Sequence, residues 1–118
     1  MAAAFTSASI VNVTPDKSLD EKIYRIKAEI ETNGPIVAAF DVYSDFLAFN
    51  GQGTYEPKTD VIVSGHCVVL LGWGPDYWIV RNSWGTSWGL KSDPGCYHHK
   101  MGTCGIEDYA VAGTAKKL

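Results

Sequence analysis

Three features are scarce in this sequence: long apolar runs, clusters of one charge, and cysteines. No apolar stretch approaches the roughly 20 residues that cross a bilayer, so no membrane span is expected. The formal net charge is −3 and the longest basic run is the pair Lys116 and Lys117, which argues against binding a nucleic-acid backbone. Cys67, Cys96 and Cys104 form no Cys-x-x-Cys motif, so neither a metal site nor another cofactor is expected.

The chain does contain enough apolar and aromatic residues for one folded domain. Of its 118 residues, 46% are hydrophobic and 12% aromatic, which excludes a disordered chain of low complexity. The odd number of cysteines leaves at least one free thiol or one missing partner. Cys67 adjoins the apolar run 68–71 and is therefore predicted to be a small core residue.

One helix is predicted near the start of the chain. Ser18 and Glu21 form a capping box, and three isoleucines follow at helical spacing, so the helix is predicted over residues 19–33. Gly34 followed by Pro35 is typical of a helix end. Residues 36–40 then predict a buried strand, and residues 44–50 a short helix or turn capped by Ser44.

The strongest strand signals predict an antiparallel hairpin. Residues 61–72 and 77–84 are rich in β-branched, apolar or aromatic residues and are separated by the turn sequence 73–76. Residues 85–105 predict loops with one short strand, residues 106–112 a final strand, and residues 114–118 a tail. One helix and several strands without βαβ alternation indicate an α+β fold with a mainly antiparallel sheet.

The hairpin brings together two polar residues that could carry chemistry. If the chain turns around Gly74, residues whose numbers sum to about 148 lie opposite each other, which pairs His66 with Asn82. An asparagine that accepts a hydrogen bond from one ring N–H leaves the other ring nitrogen free for proton transfer. On spacing alone, however, a structural hydrogen bond is the commoner explanation of such a pair.

The sequence around this pair resembles the carboxyl-terminal half of papain-like cysteine peptidases. The segments that carry the resemblance are residues 64–74 (SGHCVVLLGWG) and 77–85 (YWIVRNSWG). The resemblance is to the cathepsin B-like branch in particular, through residues 33–35 (NGP), 42–47 (VYSDFL), 104–107 (CGIE) and 111–113 (VAG). It implies the right-hand domain of that fold, a mainly antiparallel sheet or partial barrel with an N-terminal helix. The boundaries it implies are an N-terminal strand or extension over 1–16, the half-domain over 17–113 and the tail over 114–118.

The resemblance also implies roles for particular residues. In that family the histidine is the base of a thiolate–imidazolium pair, which implies His66, and the asparagine that orients it implies Asn82. The indole that shields this contact from water implies Trp84. The pocket for the second substrate residue before the cut would have Ala39 and Gly65 as walls and Tyr109 as its floor.

At that floor cathepsin B has an acidic residue that accepts arginine. Tyr109 departs from this pattern, so the arginine preference does not carry over, and an aromatic floor favours apolar side chains. The paired histidines of the cathepsin B occluding loop belong to another region, so His98 and His99 are expected to be solvated.

The nucleophile of the family has no counterpart in these 118 residues. Its cysteine lies at a helix N-terminus, within Gln…Cys-Gly-Ser-Cys-Trp, and the sequence contains no such motif. Cys67 points to the face of its strand opposite His66, and Cys96 and Cys104 lie in segments that in the family pack away from the cleft. The resemblance therefore implies a peptidase half that is inactive alone and needs a second polypeptide carrying the nucleophilic cysteine.

An alternative is a non-catalytic scaffold or binding subunit within a larger assembly. For a peptidase, the implied compartment is lysosomal or secretory, and the substrate is a peptide. Residues 1–5 do not form a secretory signal.

In the family, this domain buries an apolar face against its partner domain. Alone, that face would expose aromatic surface around Trp84 and Trp88, so we expect the isolated chain to associate with another chain or with itself. Size-exclusion chromatography over a range of concentrations measures this. A monomer that persists at high concentration would contradict the expectation.

Overall fold

The computed structural model describes residues 5–12 and 17–117, with side chains from 17 to 111, as one α-helix on a seven-stranded sheet. Every neighbouring pair is antiparallel except β3 with β6, and the sheet is open. This confirms the α+β class. The elements are β1 (Phe5–Asn12), α1 (Leu19–Asn33), β2 (Ile36–Tyr43), a 3-10 helix (Ser44–Ala48), β3 (Thr54–Tyr55), β4 (Ile62–Trp73), β5 (Tyr77–Arg81), β6 (Cys96–Lys100) and β7 (Tyr109–Lys117), with sheet order β1-β7-β2-β4-β5-β6-β3.

Helix α1 has the predicted bounds. The Ser18 hydroxyl accepts a hydrogen bond from the Glu21 backbone N–H at 3.3 Å, and Gly34 ends the helix at φ +100°. Buried Ile26 and Ile30 face the sheet, and the helix packs against β2 and β4. No helix within the described residues is long and apolar enough to cross a membrane.

Strand β2 lies at the centre of the sheet and determines which residues face the core. Every second residue, beginning with Ile36, is buried, as expected of a strand covered on one face. In the β2–β4 register Phe40 lies opposite His66, and Ala39 lies opposite Cys67. On its other edge, β2 places Ala39 opposite Tyr109 of β7. Because directly opposed residues share a face, Phe40 and His66 lie on one side of the sheet.

The hairpin of β4 and β5 forms, but its predicted register is wrong. Leu70 pairs with Val80 and Trp73 with Trp78, so the paired numbers sum to 150 and 151 rather than 148. The turn closes through the Gly74 N–H, which donates to the Tyr77 carbonyl at 2.8 Å, and the register shifts again between Leu70 and Gly72. The turn thus lies further along the chain than predicted, and a bulge follows it in the ladder.

Other predicted elements differ from the structure in their bounds: β2 continues to Tyr43 instead of ending at residue 40, and β5 ends at Arg81 instead of residue 84. The 3-10 helix has Tyr43 rather than Ser44 at its N-cap, and no side chain caps it. The last strand begins at Tyr109, because residues 103–108 form turns. It continues to Lys117 through most of the predicted tail, because it pairs with β1. The predicted N-terminal extension, 1–16, is described only at residues 5–12.

A buried carboxylate ties two parts of the core together. Glu107 is 1% exposed, and its Oε2 accepts hydrogen bonds from Trp78 Nε1 at 2.9 Å and from the Gly102 backbone N–H at 2.8 Å. Burial raises the pKa of the Glu107 carboxyl, while both hydrogen bonds oppose that shift. The side chain therefore joins β5 to the turn before β7.

Replacing Glu107 by alanine is expected to lower the free energy of unfolding by about 2–4 kcal/mol, because two buried donors lose their acceptor. Glu107→Gln keeps an acceptor oxygen and should cost about 1 kcal/mol. Urea denaturation measures both variants, with Glu31→Ala on the exposed surface of α1 as the matched control. Equal stability of the Glu107→Ala and control variants would contradict this role.

Candidate active site

The structure brings His66 and Asn82 into direct contact. His66 lies on β4, and Asn82 follows the last residue of β5, with His66 Nε2 and Asn82 Oδ1 2.8 Å apart. The backbone N–H of Asn82 donates to the Gly95 carbonyl at 2.9 Å, which fixes the chain just beyond the strand. The two residues meet although the predicted register is wrong, because Asn82 reaches diagonally across the open end of the hairpin.

A second hydrogen bond determines the roles of the imidazole nitrogens. The Ser83 backbone N–H also donates to Asn82 Oδ1, at 2.8 Å, so the atom facing His66 is the amide oxygen. An oxygen there can only accept, so His66 Nε2 carries the proton and donates it. Nδ1 of His66 therefore keeps its lone pair and is the nitrogen that can act as a base.

Two aromatic rings flank the His66 imidazole. The Trp84 ring is centred 5.6 Å away at an interplanar angle of 32°, and the Phe40 ring 5.8 Å away at 84°. Trp84 is 38% exposed, so it covers the pair from the solvent side, whereas Phe40 is buried. A hydrogen bond beside apolar rings is screened less than one in water. Sequence reasoning missed Phe40, although the predicted strand 36–40 includes it.

The other three predicted site residues line one cleft of about 340 Å³ together with His66. Ala39 and Gly65 lie on neighbouring strands, and Tyr109 is 67% exposed at the start of β7. Ala39 on β2, Gly65 on β4 and Tyr109 on β7 thus lie side by side, next to the candidate base His66.

Two carboxylates in this cleft were not foreseen. Asp41 and Asp108 line it, and Lys22 Nζ lies 2.8 Å from Asp108 Oδ1. Asp41 follows Ala39 by two residues on β2, so strand alternation could have placed it on the same face. The cleft therefore combines small and aromatic surface with negative charge that Lys22 offsets in part.

Cys67 does not lie in the core as predicted. It is exposed, and it lines a separate groove with Val37, Val69 and Arg81. Cys67 follows His66 on β4, so the two side chains leave the strand on opposite faces. That alternation sets the Cys67 thiol apart from the imidazole.

The structure corrects the expected place of Cys104. This residue is buried but lines the same cleft as His66, rather than packing away from it. Burial raises the pKa of its thiol to about 11, which leaves very little thiolate at neutral pH. Cys96 is fully buried, and burial raises its pKa as well. Neither thiol has the environment of an activated nucleophile.

The Asn82 side chain has one unused donor. Its Nδ2 is buried and has no hydrogen-bond partner within the described part of the chain. Buried polar groups in folded proteins are almost always paired, with protein groups or with ordered water. Among the described residues, no group of three or more His, Cys, Asp or Glu side chains could hold a metal ion.

His99 is buried rather than solvated as expected. It is fully enclosed, with Nδ1 2.7 Å from the Tyr97 hydroxyl and Nε2 3.3 Å from the Thr103 carbonyl oxygen. Burial lowers the pKa of the imidazole from its ordinary value of 6.5 to about 4. His98 is half-buried and stacks on Tyr77 at a centroid distance of 4.0 Å. Strand alternation places Tyr97 and His99 on one face of β6, a signal that could have indicated this burial.

Comparison with known proteins gives a consistent family. The protein-family model described as "Papain family cysteine protease" matches residues 3–114 of this chain. Cathepsin B of Dictyostelium discoideum is 43% identical over 117 residues, which cover 91% of this chain and 36% of that protein. Cathepsin B-like cysteine proteinase 3 of Caenorhabditis elegans is 42% identical over 115 residues, which cover 92% of this chain and 29% of that protein. The chain thus spans about a third of the length of these relatives.

Solved structures resemble the fold over nearly the whole chain. Procathepsin B S9 of Trypanosoma congolense aligns with a TM-score of 0.74 and 28% identity, over 100% of this chain and 38% of that one. The digestive procathepsin L2 proteinase of the Tenebrio molitor larval midgut aligns with a TM-score of 0.68 and 28% identity, over 97% of this chain and 35% of that one.

Acid is expected to destabilise the fold through His99. Its pKa is about 4 in the folded state and 6.5 unfolded, so the unfolded state binds more protons between these values and stability falls as the pH drops. Between pH about 7.5 and about 4.5 this group should lower the free energy of unfolding of the wild type by about 2–3 kcal/mol, and His99→Leu should not show this loss. Urea denaturation at both pH values measures the difference, with His98→Leu as control. The same loss in wild type and His99→Leu would contradict it.

Proposed function

The chain belongs to the papain family of cysteine proteases, and from this membership we propose that it supplies the base and the orienting residue for thiol-dependent peptide-bond hydrolysis. It corresponds to the carboxyl-terminal portion of a cathepsin B-like peptidase. The observation that carries the proposal is the 2.8 Å contact between His66 Nε2 and Asn82 Oδ1. That contact leaves His66 Nδ1 free to take a proton from a thiol.

In the proposed reaction His66 acts in turn as a base and as an acid, first in acylation and then in deacylation. His66 Nδ1 accepts the proton of a cysteine thiol, forming a thiolate–imidazolium pair, and Asn82 Oδ1 holds the imidazolium through Nε2–H. The thiolate attacks the peptide carbonyl, and His66 returns the proton to the departing amine. Water then takes the place of the amine, and His66 accepts its proton as it attacks the acyl-enzyme. The C–S bond breaks, the carboxylic acid leaves, and His66 Nδ1–H returns the proton to the cysteine sulfur. Trp84 limits access of water to the His66–Asn82 hydrogen bond.

The nucleophile is proposed to come from a second polypeptide or segment, so the chain is inactive alone. The sequence contains no Gln…Cys-Gly-Ser-Cys-Trp motif, and the environments of Cys67, Cys96 and Cys104 do not favour a reactive thiolate beside His66. The unpaired Nδ2 of Asn82 supports this proposal, because an acceptor on the segment that carries the nucleophile would satisfy it. A host assembly in which the chain is a non-catalytic scaffold is the outcome that the experiment below would reveal instead.

The cleft beside His66 is proposed to bind the substrate side chain two residues before the cut. Ala39, Gly65 and Tyr109 line it, and their apolar surface suits an apolar side chain. Asp41 and Asp108 add carboxylates on the same cleft, and they are the groups that would favour a cationic side chain there. Their charge, rather than the residue at position 109, would then decide whether arginine is accepted.

A lysosomal or secretory location is proposed for the active enzyme. Two similar proteins are called a gut-specific cysteine proteinase and a digestive procathepsin L2 of a larval midgut, and these names support this location. In an acidic compartment the pH would be closer to the His99 pKa of about 4, so the fold would be less stable there than at neutral pH.

The proposal is tested with a fusion protein that supplies this chain with a nucleophilic cysteine. The amino-terminal portion of Dictyostelium discoideum cathepsin B, with its cysteine, is fused ahead of residues 1–118, and hydrolysis of a fluorogenic dipeptide is measured. Turnover is expected from the fusion and not from the isolated chain. His66→Ala should lower kcat/KM by about 10²–10⁴-fold, because the general base is lost.

The matched control is His98→Ala, which removes an imidazole outside the site and should leave kcat/KM nearly unchanged. Asn82→Ala should reduce turnover less than His66→Ala, since it removes the orienting group and not the base. Labelling by a thiol-reactive epoxide reports whether the cysteine is activated. A folded fusion without labelling or turnover would favour the scaffold role.

A further inference from the structure

Two imidazoles approach the same phenylalanine. The Phe40 ring is centred 5.8 Å from His66 and 5.0 Å from His99, both in edge-to-face geometry. Phe40 is 4% exposed, and it also packs edge-on against buried Phe46 at 5.4 Å. His66 therefore rests on a ring that is itself supported from within the core.

His99 is held in a single orientation, unlike an ordinary apolar core residue. The Tyr97 hydroxyl donates to His99 Nδ1, and His99 Nε2–H donates to the Thr103 carbonyl oxygen. These two bonds lie on opposite sides of the ring and link β6 to the turn before β7. Rotation of the imidazole would break both bonds in a buried site, where unpaired polar groups are costly.

We infer that His99 is a positioning residue that acts through Phe40 to hold His66 in the tautomer and orientation that leave Nδ1 free. The inference rests on the proposed function of His66. Hydrogen bonds fix the His99 ring, its edge-to-face contact fixes Phe40, and Phe40 limits the tilt of His66 towards the core. The Trp84 ring also contacts the imidazole, so the two aromatic contacts together keep the geometry of the bond to Asn82.

The alternative is that His99 only fills space. A leucine there would occupy similar volume but could not accept from Tyr97 or donate to Thr103, so Phe40 would gain freedom to shift. A glutamine offers one acceptor and one donor, and it would retain both bonds without an imidazole. The two substitutions therefore separate packing from hydrogen bonding.

The test follows the ring nitrogens of His66 by nitrogen-15 NMR of the full chain, at a pH of about 8 where imidazoles are neutral. The wild type should show His66 mainly as the Nε2–H tautomer. His99→Leu should raise the minor Nδ1–H population about twofold or more, the size of effect expected when two residues are coupled through a shared neighbour, here Phe40. His99→Gln should restore the wild-type ratio, and His98→Leu, beside Tyr77, should not change it.

Each outcome decides the inference. A folded His99→Leu with wild-type His66 populations would overturn it, as would a His99→Gln that behaves like leucine. If His99→Leu does not fold, Tyr97→Phe removes one hydroxyl and keeps the imidazole, and it should shift His66 in the same direction; an unchanged His66 in that variant overturns the inference.

These measurements need no turnover. An inactive fusion with a His66 that still responds to His99 would therefore reject the proposed function alone. An active fusion whose His66 ignores His99 would reject the positioning role alone.

Discussion

The pairing of β2 with β4 is the constraint on which the site depends. It sets Phe40 opposite His66 on the core face and Ala39 opposite Cys67 on the other. A shift of one residue would exchange these faces and remove His66 from Phe40. The buried alternation of β2 favours this register, because a slip of one residue would expose its apolar residues.

Three polar side chains are buried in the core, and they differ in how completely their hydrogen-bonding groups are paired. Glu107 accepts two hydrogen bonds and joins β5 to a turn. His99 donates one bond and accepts one, and it supports Phe40. Asn82 uses its oxygen twice within the described residues but leaves Nδ2 unpaired. Among these three described side chains, only Asn82 leaves a buried polar group without a partner.

The hairpin illustrates why the predicted pair met despite a wrong register. The sequence places His66 and Asn82 near the open ends of two adjacent strands, and a polar side chain reaches across a diagonal almost as well as straight across. The local closure at Gly74 and the shift near Leu70 depend on backbone geometry, which the residue types do not specify. For His99 the prediction failed because solvation was inferred once a match to the occluding-loop histidines had been set aside, whereas alternation along β6 places this side chain in the core, against Phe40.

The amino-acid sequence by itself determined the α+β class, the bounds of α1, and the pair His66 and Asn82 that meets in the candidate site. These follow from short-range signals: a capping residue, apolar periodicity, turn chemistry, and a motif around His66 and Asn82. Only the tertiary structure decided that Cys67 is exposed and that Cys104 shares a cleft with His66. It also decided that His99 packs against Phe40, the ring that contacts His66. The reason is physical: burial and contact depend on which strands pair and in what register, and these are properties of the whole sheet rather than of any segment.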